Sequence, residues 1–249
     1  VSTITELMAK LEQRGIRLSL DGDRLRVRAP RDALNAADTD ALRAHKAEII
    51  DLLRASSSVP TAQPRPAALP LSFAQERLWF LAQLEGGADA YNLALLLHLR
   101  GPLDTTALAD ALAVVIARHE VLRTCFAATA GVPRQQISEQ ITIAIEPIDL
   151  SGLPRGDRLD AATTALRERA ARPYDLTQGP LLRAALARLD EADQVLLIGL
   201  HHIVADGWSL TLLTQELDAA YRARLGAREP TLPPLPLQYA DYALWQRRL

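Results

Sequence analysis

The chain opens on an apolar stripe of helical spacing, with Ile4, Leu7, Met8 and Leu11 at i, i+3, i+4 and i+7. Thr3 followed by Glu6 is a capping-box signature at its start, and Gly15 is placed to end it. The period then drops to two. Ile16, Leu18 and Leu20 alternate with Arg17 and Ser19, Asp21-Gly22 supplies a hairpin turn, and Leu25 and Val27 alternate with Arg24, Arg26 and Arg28. That turn pairs Leu20 with Asp23, Leu18 with Leu25 and Ile16 with Val27, and sets Arg17 opposite Arg26. The apolar pairs share one face and the arginines the other. A second helical pattern, with Leu42, Ile49, Ile50 and Leu53 on one side, completes a helix–hairpin–helix module over residues 1–55.

From Ala55 to Pro70 the pattern breaks into ASSSVPTAQPRPAALP, which reads as an extended linker, assigned to 56–68. Beyond it, helices and strands mix. Helical patterns fall at Ser72–Leu84, after an Asp104 cap with Leu108, Leu112, Val115 and Ile116 inward, at Thr163–Arg172, Ser209–Leu225 and Gln238–Leu249. Strand patterns fall at Leu93–Arg100, Leu122–Ala128, Ile141–Ile148, Leu181–Leu189 and Val195–His201. The fold class is therefore α+β: a small helix–hairpin–helix domain, then an α/β sandwich over 69–249. Neither a P-loop nor a Gly-x-Gly-x-x-Gly turn is present.

Composition narrows the function classes. The 249 residues carry a formal net charge of −2, which argues against a general nucleic-acid binder. One cysteine, Cys125, rules out an internal disulfide framework and a cysteine-rich zinc site, and its apolar strand pattern marks it as a packing residue. No window is apolar enough to cross a bilayer, and the first residues lack a signal peptide's basic start and apolar run. A soluble, cytoplasmic protein is expected.

The chemical signal is His201-His202-Ile203-Val204-Ala205-Asp206-Gly207-Trp208-Ser209. An imidazole at a strand end can move a proton near neutral pH. Gly207 lets a substrate approach the backbone beside the amides of a following helix. Adjacent strand residues point to opposite faces, so one histidine of the pair is structural. Helical His-Glu-x-x-His spacing is absent, and no metal site is expected. Ser209 lacks a Gly-x-Ser-x-Gly elbow, so no covalent intermediate is implied. Residue types alone leave open whether the loop is catalytic or holds a satisfied core histidine. The basic hairpin face is likewise either a solvated surface or a dock for an acidic peptide adding a strand at a free edge.

The first module resembles the TubC-type N-terminal docking domains of nonribosomal peptide synthetases, through Thr3-Ile4-Thr5-Glu6-Leu7, Leu11, Gly15-Ile16, Asp21-Gly22-Asp23-Arg24-Leu25 and Ile49-Ile50-Asp51-Leu52-Leu53. Leu71–Leu81, Arg118–Phe126, His201–Ser209 and Tyr239–Trp245, in that order, resemble the four segments of a condensation domain of the same synthetases, a chloramphenicol-acetyltransferase-like lobe. The resemblance implies peptide-bond formation between a donor acyl or peptidyl thioester and an acceptor aminoacyl thioester. Both ride on 4'-phosphopantetheine arms of partner carrier proteins, with no cofactor on this chain and no nucleic-acid or membrane partner. An upstream subunit's C-terminal peptide, expected to be acidic, would dock on Arg17, Arg24, Arg26 and Arg28.

On the same resemblance His202 lies in the substrate tunnel as base or positioner, with His201 beside it. Asp206 braces the loop through an arginine, Gly207 lines the channel with Trp208 and Ser209, and Arg118 and Arg123 stabilise the fold. The family domain has two lobes. This chain covers one, so it is expected to be a fragment with little activity alone and a cleft able to hold two pantetheine-borne substrates. The docking module argues against a starter or epimerisation role, and His201-His202 against heterocyclisation. The competing readings are a non-catalytic docking module and a free-standing trimeric acyltransferase of the chloramphenicol-acetyltransferase type.

Overall fold

A computed structural model describes residues 3–21, 24–30, 33–57, 59–84 and 90–249. The chain divides into two compact units, Val1–Pro60 with Arg247–Leu249, and Thr61–Gln246.

In the first unit, α1 (Thr3–Gln13) buries Ile4 and Leu11. The Thr3 side chain and Gly22, on which the expected cap and turn rest, lie outside the described residues. Gly15 closes α1 at φ +75°, with its N–H on the Glu12 carbonyl at 2.8 Å and the Ile16 N–H on the Leu11 carbonyl at 3.0 Å. That paired closure needs a left-handed residue, which glycine adopts without a Cβ clash.

Strands β1 (Arg17–Asp21) and β2 (Arg24–Arg28) pair Asp21 with Arg24, Leu20 with Leu25, Leu18 with Val27, and Arg17 with Arg28. The expected register is thus corrected by two residues: Arg17 faces Arg28, and Ser19 faces Arg26. A slip of two keeps every side chain on its face, so the basic surface survives the correction. Arg17, Arg24, Arg26 and Arg28 are all exposed.

The second helical pattern is two helices, α2 (Ala36–Ala44) and α3 (Lys46–Ser57), because His45 leaves helical geometry at φ −104°, ψ 18°. Leu42, Ile49 and Leu53 pack with Ile4, Leu11 and Ile16 into this unit's core.

The serine-rich stretch does not begin as an extended linker, since α3 continues to Ser57. Nor is its later part loose. Gln63 donates its N–H to Asp241 at 2.8 Å, and Arg65 meets the same carboxylate at 2.5 Å and Glu120 at 2.8 Å. Burial alone would raise the Asp241 carboxyl, but Arg65 and the Gln238 and Gln63 N–H groups outweigh it and hold its pKa below the usual range. Prolines and serines set the composition there, while two polar side chains decide where the segment lies.

The second unit is built on a four-stranded sheet, ordered β3 (Asn92–Arg100), β8 (Asp193–His201), β7 (Leu182–Asp190), β6 (Ile145–Asp149). β6 runs parallel to β7, and the other neighbours are antiparallel. β7 and β8 are buried on both faces. Ala184, Leu186, Leu196, Ile198 and Leu200 meet α5 (Thr105–Arg118) and α7 (Gly207–Leu225). Ala185, Ala187, Val195 and Leu197 meet Ala162, Leu166 and Ala170 of α6 (Arg158–Ala171). Strands covered on both sides read as continuous apolar runs, which is why both were legible in the sequence.

A separate ribbon pairs β4 (Thr124–Thr129) with β5 (Val132–Ile137), and α4 (Phe73–Ala82) and α8 (Tyr239–Gln246) complete the unit. Ser72 caps α4 in a reciprocal box with Gln75. This sheet covered by helices on both faces is the α+β sandwich expected of the second module. Among the described residues no helix is long and apolar enough to cross a membrane.

Candidate active site

β8 ends at His201, and the chain then turns out of the sheet. The His201 ring is buried, 1% exposed, with Tyr91 and Tyr174 ring centroids at 6.5 and 6.1 Å. Its Nδ1 accepts the Ile203 N–H at 3.1 Å, which places the proton of the neutral ring on Nε2. Burial, reinforced by His202, pushes its pKa down to about 4. His201 is therefore neutral at physiological pH and shapes the turn.

His202 is exposed, its N–H anchored on the Tyr91 carbonyl at 2.8 Å. It lines a cleft of about 190 Å³ with Gln75, Val121, Asp206, Ser209 and Tyr239. That volume suits a reacting amine and carbonyl. It lies below the roughly 300–1,000 Å³ of sites that enclose a drug-sized ligand, so the cleft that the described residues form at His202 is smaller than the expected space for two pantetheine-borne substrates. The largest cavity among the best-formed ones, about 570 Å³, lies at the other end of the sheet, between β3, α5 and α7, and holds neither histidine.

Asp206 does not meet an arginine, as expected, among the described residues. It caps α7 instead, accepting from the Ser209 N–H at 2.8 Å and the Ser209 hydroxyl at 2.6 Å. These two bonds, with nearby His202, outweigh burial and lower its pKa. The brace is thus an N-cap, which fixes where α7 starts relative to His202. A Cβ on Gly207 would meet nothing within 4 Å, so the space in front of that backbone is open. Trp208 is 84% exposed at the edge of a second, smaller cleft shared with Ser209.

Arg118 sits outside the His202 cleft. Its Nε meets buried Glu216 of α7 at 3.0 Å, and its guanidinium also donates to the Pro233 carbonyl. His119 meets the other Glu216 oxygen at 2.7 Å. Arg123 donates to the Ser138 carbonyl. Cys125 is partly buried, with its thiol pKa raised by burial and by Asp175, unlike an activated nucleophile. Among the described residues no group of three or more His, Cys, Asp or Glu is placed to hold a metal.

Gln75 and Tyr239, which complete the cleft, were missed as site residues. The Ser72-x-x-Gln75 capping signature was readable, but nothing local joins it to Tyr239, 167 positions away along the chain.

Residues 67–249 match the Condensation domain family. The chain belongs to that family. Residues 4–55 match the TubC N-terminal docking domain, so a docking segment precedes the condensation segment. Phosphinothricin tripeptide synthetase PhsC of Streptomyces viridochromogenes is 46% identical over 192 residues, 77% of this chain and 18% of the synthetase. The X-domain of teicoplanin biosynthesis, solved in complex with OxyB, superposes with a TM-score of 0.69 at 38% identity, over 77% of this chain and 40% of that one. The EpoB cyclization-docking bidomain of Sorangium cellulosum superposes with a TM-score of 0.64 at 30% identity, over 98% of this chain and 49% of that one. The condensation chain thus spans under a fifth of its curated relative and less than half of each solved one.

Proposed function

We propose that this chain contributes the donor-side lobe of a peptide-bond-forming condensation domain, with residues 1–55 as docking domain, 69–249 as lobe and the segment between them as their connection. The observation that carries the reading is the split fate of the histidine pair: His201 is buried and neutral, while His202 opens on a cleft that Asp206 holds in shape. In the reaction, the α-amine of the acceptor aminoacyl thioester attacks the donor thioester carbonyl. A C–N bond forms, the C–S bond breaks, the amine gives up a proton, and the donor pantetheine leaves as thiol. His202 orients the amine and takes its proton. Asp206 and His201 position the loop, Gly207 leaves room for the substrate chain, Trp208 and Ser209 border it, and Arg118 and Arg123 stabilise the fold.

Both substrates arrive on the phosphopantetheine arms of partner carrier proteins, so the chain would work in the cytoplasm. The test is a single-turnover assay with loaded donor and acceptor carriers. The synthetase subunit that carries this chain is expected to form product, and the 249-residue chain alone to do so at least about a hundredfold more slowly, because positioning both substrates is most of the catalysis. Equal rates would overturn the single-lobe reading, and no product from either would leave docking as the chain's working role.

The basic hairpin is assigned to an upstream subunit's acidic C-terminal peptide, by charge and by its free strand edge. Reversing Arg24 and Arg26 to glutamate is expected to weaken capture of such a peptide about tenfold at low salt, and less at 0.5 M salt, where screening shortens to a few ångströms. Fluorescence anisotropy reads both. Unchanged affinity would return the arginines to a solvated face.

A further inference from the structure

Ser72 is fully buried, and its hydroxyl has two partners among the described residues. Its Oγ accepts the Gln75 N–H at 3.1 Å and lies 3.0 Å from Tyr239 Oη. A hydroxyl carries one proton to donate, and a backbone N–H cannot accept it. The Ser72 oxygen has two lone pairs, so the bond between the two hydroxyls can run either way. When Ser72 donates, the phenol accepts and its own proton is left to give.

Tyr239 lines the same cleft as His202, Asp206 and Ser209. Burial raises its pKa, Tyr242 and Asp206 add to this, and the Ser72 bond opposes it without cancelling it. The phenol thus keeps its proton at neutral pH. Gln75, which lines the cleft too, is buried, and its Nε2 reaches the Ile203 carbonyl at 3.5 Å, holding the turn that presents His202. A protonated phenol and an imidazole therefore line one small cleft, with the phenol tied to the cap of α4.

We propose that Tyr239 is a catalytic hydrogen-bond donor, presenting its O–H to the carbonyl oxygen of the donor thioester as the amine adds beside His202. The inference rests on the peptide-bond-forming reading above. As nitrogen bonds to the carbonyl carbon, the oxygen gains negative charge. The phenol stabilises it until the C=O re-forms and the C–S bond breaks. No proton leaves Tyr239 in the cycle, and Ser72 keeps the phenol oxygen oriented. A preoriented donor of this kind acts where charge develops rather than on the resting substrate.

The test compares two variants that break the same Ser72–Tyr239 bond, in the synthetase subunit with loaded carriers. Tyr239→Phe is expected to slow single turnover about tenfold or more, with the carrier concentration for half-maximal rate unchanged. Ser72→Ala, which keeps the phenol but loses the bond that orients it, is expected to lose clearly less than Tyr239→Phe. Equal losses in both would reduce Tyr239 to a packing role, and a wild-type rate in Tyr239→Phe would overturn the inference. If Tyr239→Phe melts early, 3-fluorotyrosine at position 239 keeps ring and hydroxyl with a more acidic proton. Its rate should then change, and an unaltered rate counts against the donor role. His202→Ala run alongside separates the two levels. Full activity there removes the site reading itself, whereas loss there with Tyr239→Phe intact removes only this inference.

Discussion

Replacing His202 with alanine is expected to slow peptide-bond formation by the synthetase subunit about a hundredfold, the lower end of general acid–base contributions. Folding should survive, because the ring is exposed and the backbone bond to Tyr91 does not need it. Surface changes of this kind usually move stability by no more than about 0.5 kcal/mol. The size of the loss also separates two roles. A model α-amine has a pKa of about 7.7–8.0, so roughly a tenth is already neutral at pH 7. Supplying the rest by ground-state deprotonation is worth about tenfold at most, and that benefit vanishes by pH 9. A hundredfold loss that persists at pH 9 therefore places His202 in the transition state, accepting the proton or holding the amine in line. A deficit that disappears at pH 9 would leave it with ground-state deprotonation alone, and wild-type turnover across the range would end the site assignment.

The histidine pair is split where β8 ends: His201 is the last residue of the strand and is buried, while His202 already lies in the turn and is exposed, so strand parity by itself covers only the first of the two. The brace on Asp206 was less legible. A carboxylate in a loop is equally suited to an arginine partner or to the first turn of a helix, and only the start of α7 at Gly207 decides between them. The hairpin register failed for a similar reason. Asp21-Gly22 is a strong turn signal, yet pairing Asp21 with Arg24 matches Leu20 with Leu25 and Leu18 with Val27. Strand β5 left no pattern at all, since Val132-Pro133-Arg134-Gln135-Gln136-Ile137 neither alternates nor avoids proline. It sits in a two-stranded ribbon whose outer edge is met at a single bridge, Pro70 opposite Arg134, and by the Gln135 N–H on the Leu69 carbonyl, an edge position where proline is tolerated. Contacts such as Ser72 with Tyr239 and Arg65 with Asp241 join residues far apart in sequence, and no local signal encodes them.

His201→Ala is expected to unfold the second unit earlier by about 3 kcal/mol, through the cavity it leaves and the Ile203 N–H it orphans. The pH dependence is the sharper test. Unfolded, this histidine takes up a proton near pH 6.5; folded, burial delays that until about 4. Between those values the unfolded chain binds more protons, so wild-type stability is fully present above 6.5 and falls as the pH drops through the window. The expected loss is on the order of 2 kcal/mol. The carboxylates held low by hydrogen bonds, Asp206 and Asp241 among them, lose their contribution only below about pH 4. The two ranges therefore do not overlap. Urea denaturation at intervals from pH 7 to 4 should show wild type losing stability across the window and His201→Asn, which keeps an acceptor but cannot charge, staying nearly level. Parallel curves for the two proteins would mean that the buried ring takes up its proton in the folded state, and that the tight packing against Tyr91 and Tyr174 does not keep it neutral.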